Sequence, residues 1–351
     1  MDYREVIKRV KEPTPENIHI NGKAVFGTFD KEFEKMDFLD IKKPTGAPEW
    51  YKKNKLTLWE AVEVNLKDGV LLAAPCDMGL FGTMLVLYYD KQERKVHTFS
   101  TFFSSKKVSI SKTLLNGDIS EAQTKTMGVK VVNNFQDGKA TVSGWGKNKQ
   151  GDSIEYEFEL ERVSLPSISS MPFGENRPLY SQKDLFKATG KVLFNGKEIA
   201  SDEGTAAVID DHRGYYPYRA HYDWLTTMGL CDYDGAKKFF AFNLVRNQSI
   251  DQDRYNENLI WLENKDSFLP PVKFEHVDGN EFLWTVKDDY GMVDVTYEIY
   301  DRNELVLHAG IIDFRYYVTF GEIKGHLLDV DGNKYILDGM MGLGEDKTLR
   351  F

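Results

Sequence analysis

The chain has only two cysteines in 351 residues, Cys76 and Cys231, and neither stands in a CxxC pair. A disulfide framework is thereby excluded, and Cys76, following Pro75 in an apolar run, reads as a small core residue. Positive charge is also in deficit: 45 Lys and Arg face 55 Asp and Glu, a net charge of -10, which matches neither a phosphate backbone nor an anionic bilayer. Nucleic acid is not an expected partner. No apolar run reaches the length of a spanning helix; the most apolar stretch, residues 69–87, is broken by Pro75, Asp77 and several glycines. The opening segment MDYREVIKRVKEPTPEN has no apolar core of the kind a signal peptide carries. A cytoplasmic location without integral membrane association is the expectation, and the sequon Asn247-Gln248-Ser249 would then be idle.

Catalytic signatures are missing as well. There is no Walker sequence, no GxSxG elbow and no HExxH pair. The seven histidines, at 19, 97, 212, 221, 276, 308 and 326, are scattered, so zinc could be held only by a cluster drawn from separate parts of the chain. Asp329-Val330-Asp331-Gly332 has its glycine too early for a calcium loop. No cofactor and no metal is expected.

What the sequence does hold is aromatics and alternation. There are 22 Phe, 18 Tyr and 6 Trp. In 153–160, Ile154, Tyr156, Phe158 and Leu160 share one face and Ser153, Glu155, Glu157 and Glu159 the other, the period of a half-buried strand; 293–300 repeats the pattern. Asn-Gly or Asp-Gly pairs at 21, 68, 116, 137, 195, 234, 278 and 331 suit the positive φ of tight hairpins. Helical signals are confined to Tyr3–Lys11, Asp30–Met36 and Gln182–Ala188, the last opened by Ser181 and Asp184 as a weak capping box.

The run 164–178, with three prolines and four serines, interrupts the alternation. Landmarks before it recur after it. Asn21-Gly22 is matched by Asn195-Gly196, Phe38-Leu39-Asp40 by Val208-Ile209-Asp210, Trp59 before Asp68-Gly69 by Trp224 before Asp234-Gly235, and Ser143-Gly144-Trp145 by Lys324-Gly325-His326. The expected division is 1–165, a connector at 166–178, and 179–351, two β-domains of one topology. The expected fold class is all-β: two tandem lipocalin-like antiparallel β-barrels or β-sandwiches with few short helices, able to enclose an apolar ligand.

The densest chemistry lies in Asp210–Trp224. If 218–224 is extended, Tyr218, Ala220, Tyr222 and Trp224 form an aromatic face, with Arg219, His221 and Asp223 on the other. Val208, Asp210 and His212 share a face upstream, and Pro217 suits a barrel rim. On the functional reading, Asp210 or Asp211 is a proton donor whose pKa burial would raise, and His212 or His221 a base or orienting group. Arg213 and Arg219 would set protonation, while Tyr215, Tyr216, Tyr218, Tyr222 and Trp224 bind substrate and stabilise a developing cation through their ring faces. The structural reading is an ion-pair network capped by tyrosine hydroxyls. The polar run Arg246–Tyr255 is a candidate for the mouth of a junction pocket.

The block Asp210-x-x-Arg213-Gly214-Tyr215-Tyr216-Pro217-Tyr218-Arg219, followed by His221 and Trp224, resembles the signature of a bacterial family, domain of unknown function family 2804. The closing block, Phe320-Gly321-Glu322-Ile323-Lys324-Gly325, then Gly339, Gly342 and Gly344-Glu345-Asp346 with Arg350-Phe351, resembles that family's ending. The family is more remotely similar to the carotenoid hydratase, tocopherol cyclase-like and fungal decalin-forming cyclase group. That resemblance implies two lipocalin-like domains with a lipophilic pocket near their junction, and it assigns no catalytic residue. The expected function is cofactor-independent hydration or cyclisation of an alkene, isoprenoid or polyketide-like molecule. The alternative is a non-catalytic binder or carrier of a lipophilic small molecule.

Overall fold

The structure is a computed structural model that describes residues 2–309 and 312–350, so Phe351 of the closing block lies outside the described residues. Strands dominate, as the alternation predicts. Along Ser153–Arg162 the apolar side chains at 154, 156, 158 and 160 are buried and the glutamates between them exposed. Asn21, Asn116, Asn195 and Asp234 carry positive φ of 54°, 58°, 48° and 51°, and each is followed by a glycine in the same region. Two consecutive left-handed residues are what the tight hairpin turn demands.

Two large antiparallel sheets result. The first, a nearly closed barrel, runs in the order Lys95–Ser104, Phe81–Asp90, Gly69–Asp77, Leu56–Asn65, Ala206–Tyr215, Pro178–Phe194, Ser153–Arg162, Lys139–Lys147, Met127–Asn134, Asp118–Gln123, Val108–Ser109. The second, a half-barrel, runs Lys265–Phe268, Leu259–Leu262, Ala236–Arg246, Arg219–Tyr233, Met340–Arg350, Ile312–Leu328, Val293–Ala309, Leu283–Lys287, Lys273–His276. The chain passes from one sheet to the other at 216–218, around Pro217, which has no N–H to donate to a ladder. The expected connector 166–178 instead contains the strand Ser167–Pro172, paired to Pro178–Phe194 in the first sheet.

The helical expectations need correction. Only Tyr3–Val6 is helical within the first candidate, capped by the Asp2 carboxylate. Asp30–Met36 is irregular, fixed by Phe33 packing edge-on to Phe29 and Tyr180. Gln182–Ala188 is strand, part of Pro178–Phe194. Its polar residues mimic a solvated helix because both faces are buried over 182–186 and the charges of Lys183 and Asp184 find partners inside the protein, so burial overrides local propensity.

The same double burial defines the junction. Val62, Val64, Ala207 and Ile209 point into the first barrel's core, while the alternate residues meet the second sheet. Val70, Leu72, Leu85, Leu87 and Tyr89 pack on Trp224, Val245, Val318, Phe320 and Leu343. Leu185, Ala206 and Val208 pack on Met228, Ala241 and Trp261. Between these two apolar clusters lies a small set of charged side chains.

Candidate functional site

Period-2 geometry divides Asp210–Tyr216 into two unconnected environments. Asp211 and Arg213 face the interior of the first barrel. There the Arg213 guanidinium grips both oxygens of Asp211, at 2.6 Å and 2.8 Å, and donates to the carbonyls of Ser111 and Lys112. The neighbouring Glu60 accepts from Ser120 and Asn133, and burial followed by Asp211 lifts its carboxyl to about 7. Asp211 and Arg213 therefore match the structural ion-pair reading, pinning the 111–112 loop inside the barrel.

Asp210 and His212 face the junction. His212 Nδ1 is 2.8 Å from Asp210 Oδ1, close enough for an ion pair but without hydrogen-bond alignment, so neither atom has an aligned partner. His212 Nε2 is 3.4 Å from Glu257 Oε2. Lys183, on the adjacent strand Pro178–Phe194, lies 2.8 Å from the same Glu257 oxygen and 3.7 Å from Asp210 Oδ2. Ser181 donates to Glu257 at 2.6 Å and Asn247 to its other oxygen at 3.3 Å. The result is an alternating line of carboxylate, imidazole, carboxylate and ammonium, all buried. Charges so far from water persist only when paired.

This pairing sets the protonation states. Burial alone would strip the His212 proton, but Asp210, helped by Glu257, outweighs burial and the nearby Lys183, and the pKa rises to about 9. Burial would likewise raise Glu257, yet Lys183 and His212 hold it well below the usual carboxylate range. Lys183 is pulled down by burial and lifted further by Asp210 and Glu257, ending above its ordinary value. At neutral pH the centre holds the His212 imidazolium and the Lys183 ammonium against the Glu257 carboxylate, with Asp210 beside them. Beside it, the Glu63 carboxyl is pushed well up by burial, then by Asp210 and Glu345.

Aromatic rings wall the centre. The Trp59 ring lies 4.8 Å from the His212 ring and stacks on Tyr216 at 5.9 Å. Lys183 sits over Trp224 at 5.3 Å. Tyr222 and Tyr316 both donate to Glu345, and the buried Lys347 ammonium lies 4.6 Å from the ring centres of Trp59 and Tyr316. The enclosed cavity, bounded also by Phe173, Leu179, Val245 and Asn247, has an accessible volume of about 20 Å³, room for about one water. A surface cavity of about 1110 Å³ runs past Trp145, Glu155 and Lys191. Its ion pair, Lys191 with Glu198, is exposed, unlike the buried charges of the junction.

The other sequence candidates scatter. Tyr216, Tyr222 and Trp224 line the cavity. Tyr215 is buried elsewhere, its hydroxyl donating to the Phe38 carbonyl. Tyr218 and Arg219 are exposed. His221 lies on the opposite face of its strand from Tyr222, half-exposed in the second sheet beside Asp223, His276 and Asp346. Sequence reasoning missed Lys183, Glu257, Glu63 and Lys347. Lys183 was hidden in an expected helix, and Glu257 stands two residues beyond the polar run singled out as a mouth. Trp59, identified as the repeat partner of Trp224, does meet it across the cavity.

The chain belongs to the family described as Domain of unknown function (DUF2804), which matches residues 8–351. No curated protein sequence matches it. Among solved structures it is similar to kievitone hydratase from Nectria haematococca, with 12% identity, 84% of this chain and 88% of that chain covered, and a TM-score of 0.45. It is also similar to CghA with Sch210972, with 9% identity, 87% and 91% covered, and a TM-score of 0.40.

Proposed function

We propose that the junction centre is an acid–base site for cofactor-independent hydration or cyclisation of an unsaturated lipophilic molecule. The observation that carries this reading is the buried His212 imidazolium, flanked by Asp210 and Glu257 and faced by aromatic rings. In this reading the roles first assigned to the segment exchange. His212 is the proton donor, Asp210 the group that takes the proton back, and Glu257 with Lys183 the pair that orients both. Trp59, Tyr216 and Trp224 turn their ring faces to positive charge developing on the substrate carbon. A cavity with room for one water suits a hydration nucleophile. Phe173 and Tyr216, which line the cavity, would have to move for a substrate larger than water to enter.

A lipophile carrier would need the rings but no coupled proton donor and acceptor. Native mass spectrometry of the protein as isolated, followed by incubation of any retained lipophile in heavy-oxygen water, separates the two readings. Incorporation of the heavy label, or an isomerised product, by the native chain and a loss of about 100-fold in His212→Gln is the expected result. Retention of an unchanged ligand by both proteins would leave the carrier reading in its place.

A further inference from the structure

His221, Asp223, His276 and Asp346 form a second cluster, away from the junction. Three strands bring it together: Arg219–Tyr233 supplies His221 and Asp223, two apart and therefore on one face; Met340–Arg350 supplies Asp346; Lys273–His276 supplies His276. The strand register sets Asp223 directly opposite Asp346. Two like charges facing each other across neighbouring strands are destabilising unless a cation lies between them. Asp223 is also almost fully buried, with 2% exposure, where an uncompensated charge is costly. The only groups in direct contact with both carboxylates, among the described residues, are the two imidazoles. His221 Nε2 is 3.2 Å and His276 Nε2 3.0 Å from the oxygens of Asp223, and the two Nδ1 atoms are 3.8 Å and 3.9 Å from those of Asp346. Arg246 and Arg315 act on the cluster from further off.

We propose that this cluster is a binding site for a divalent transition-metal ion of the zinc class. Imidazole and carboxylate are the donors such an ion takes, at about 2.0–2.2 Å. One donor atom each from His221, Asp223 and Asp346 lies within 4.8 Å of the other two, and an inward movement of up to about 0.7 Å by each brings all three to bonding distance. His276, held flat against Trp284 with ring centres 4.6 Å apart, orients the Asp223 carboxylate through its 3.0 Å contact, which leaves the fourth position to water. The ion takes over from the imidazole contacts the neutralisation of the two facing carboxylates. On its outer side the cluster opens to a groove of about 240 Å³ bounded by His221, Gln248, Asp313 and Thr348, which gives the ion its entry path. The site exists only in the fold, since the ligands come from positions 221, 223 and 346.

The test is calorimetric titration of the chelator-treated full chain with zinc chloride, with metal content measured after dialysis. One zinc per chain is expected, with a raised melting temperature. His221→Gln and Asp346→Asn, at positions accessible enough to leave folding intact, should each weaken binding by about tenfold or more. Absence of zinc uptake by the native chain would overturn the proposal and leave the cluster a plain ion-pair ring. Uptake that survives the double variant His221→Gln/Asp346→Asn would overturn it too, placing the ion elsewhere, for instance at the exposed His308–Asp313 pair.

Discussion

His212 takes its character from its neighbours rather than from its own chemistry. Its pKa stands at about 9 against an ordinary 6.5 because Asp210 and Glu257 outweigh burial and Lys183. A raised folded-state value means that the protonated ring stabilises the fold fully below about pH 6.5, and that this contribution is lost as pH climbs through about 9. At most about 3 kcal/mol is at stake. Glu257 works in the opposite sense: held below its ordinary 4.5, it stabilises above that value and fails as pH falls through its folded value. The part of the melting temperature that this pair supplies, read as the difference between the native chain and His212→Gln, should therefore plateau between about pH 4.5 and 6.5 and decline toward pH 9. In His212→Gln the alkaline decline attributable to this ring should vanish; an unchanged alkaline slope would show that the imidazole is neutral in the fold. The sequence made the alternation of Asp210 and His212 against Asp211 and Arg213 legible, because strand period alone separates them. It did not tell which pair faces the junction, since both sides of that strand are buried and both pairs look equally polar.

At the level of elements, the site depends on how closely the strands Pro178–Phe194 and Ala206–Tyr215 approach. Their register pairs Leu179 with Gly214 and Ser181 with His212. A Cβ on Gly214 would meet the Pro178 carbonyl oxygen at 2.3 Å and the Leu179 Cα at 2.9 Å, and backbone atoms cannot turn away as a side chain would. Gly214→Ala should therefore pry the two strands apart near His212, lowering melting temperature by several degrees and shifting the alkaline decline of the native chain. Gly196, at the Asn195-Gly196 turn with φ of 83°, has nothing within 4 Å of an added Cβ. Gly196→Ala should cost only the conformational penalty, about 1 kcal/mol, and leave the pH profile alone. Equal effects from the two substitutions would contradict this account. The hairpins around Asn195-Gly196 and Asp234-Gly235 were readable because their turn chemistry is local. Pro178–Phe194 was not, because the partners of Lys183 and Asp184 are Glu257 and Arg162, far along the chain in one direction or the other.

For the whole molecule, the two sheets are joined through buried apolar clusters that draw residues from both, with the charged centre beside them. Tyr89 of the first sheet and Phe320 of the second stack with ring centres 5.1 Å apart and planes 3° from parallel, both fully buried. An aromatic pair of this kind adds about 0.5–1.5 kcal/mol beyond its burial, and deleting a buried phenyl ring costs about 3–5 kcal/mol. Because the junction both buries apolar area and shields the paired charges from water, loss of contact there exposes Lys183, His212, Asp210 and Glu257 together. Neither sheet should survive separation as a stable unit. Phe320→Ala should thus lower a single thermal transition, followed alike by near-ultraviolet signals from both sheets, instead of melting the half-barrel first. Two resolved transitions in the native chain would show that the sheets fold independently and that the junction is a docked surface. A single transition that moves as one ties the proton chemistry of the centre to the integrity of the entire fold.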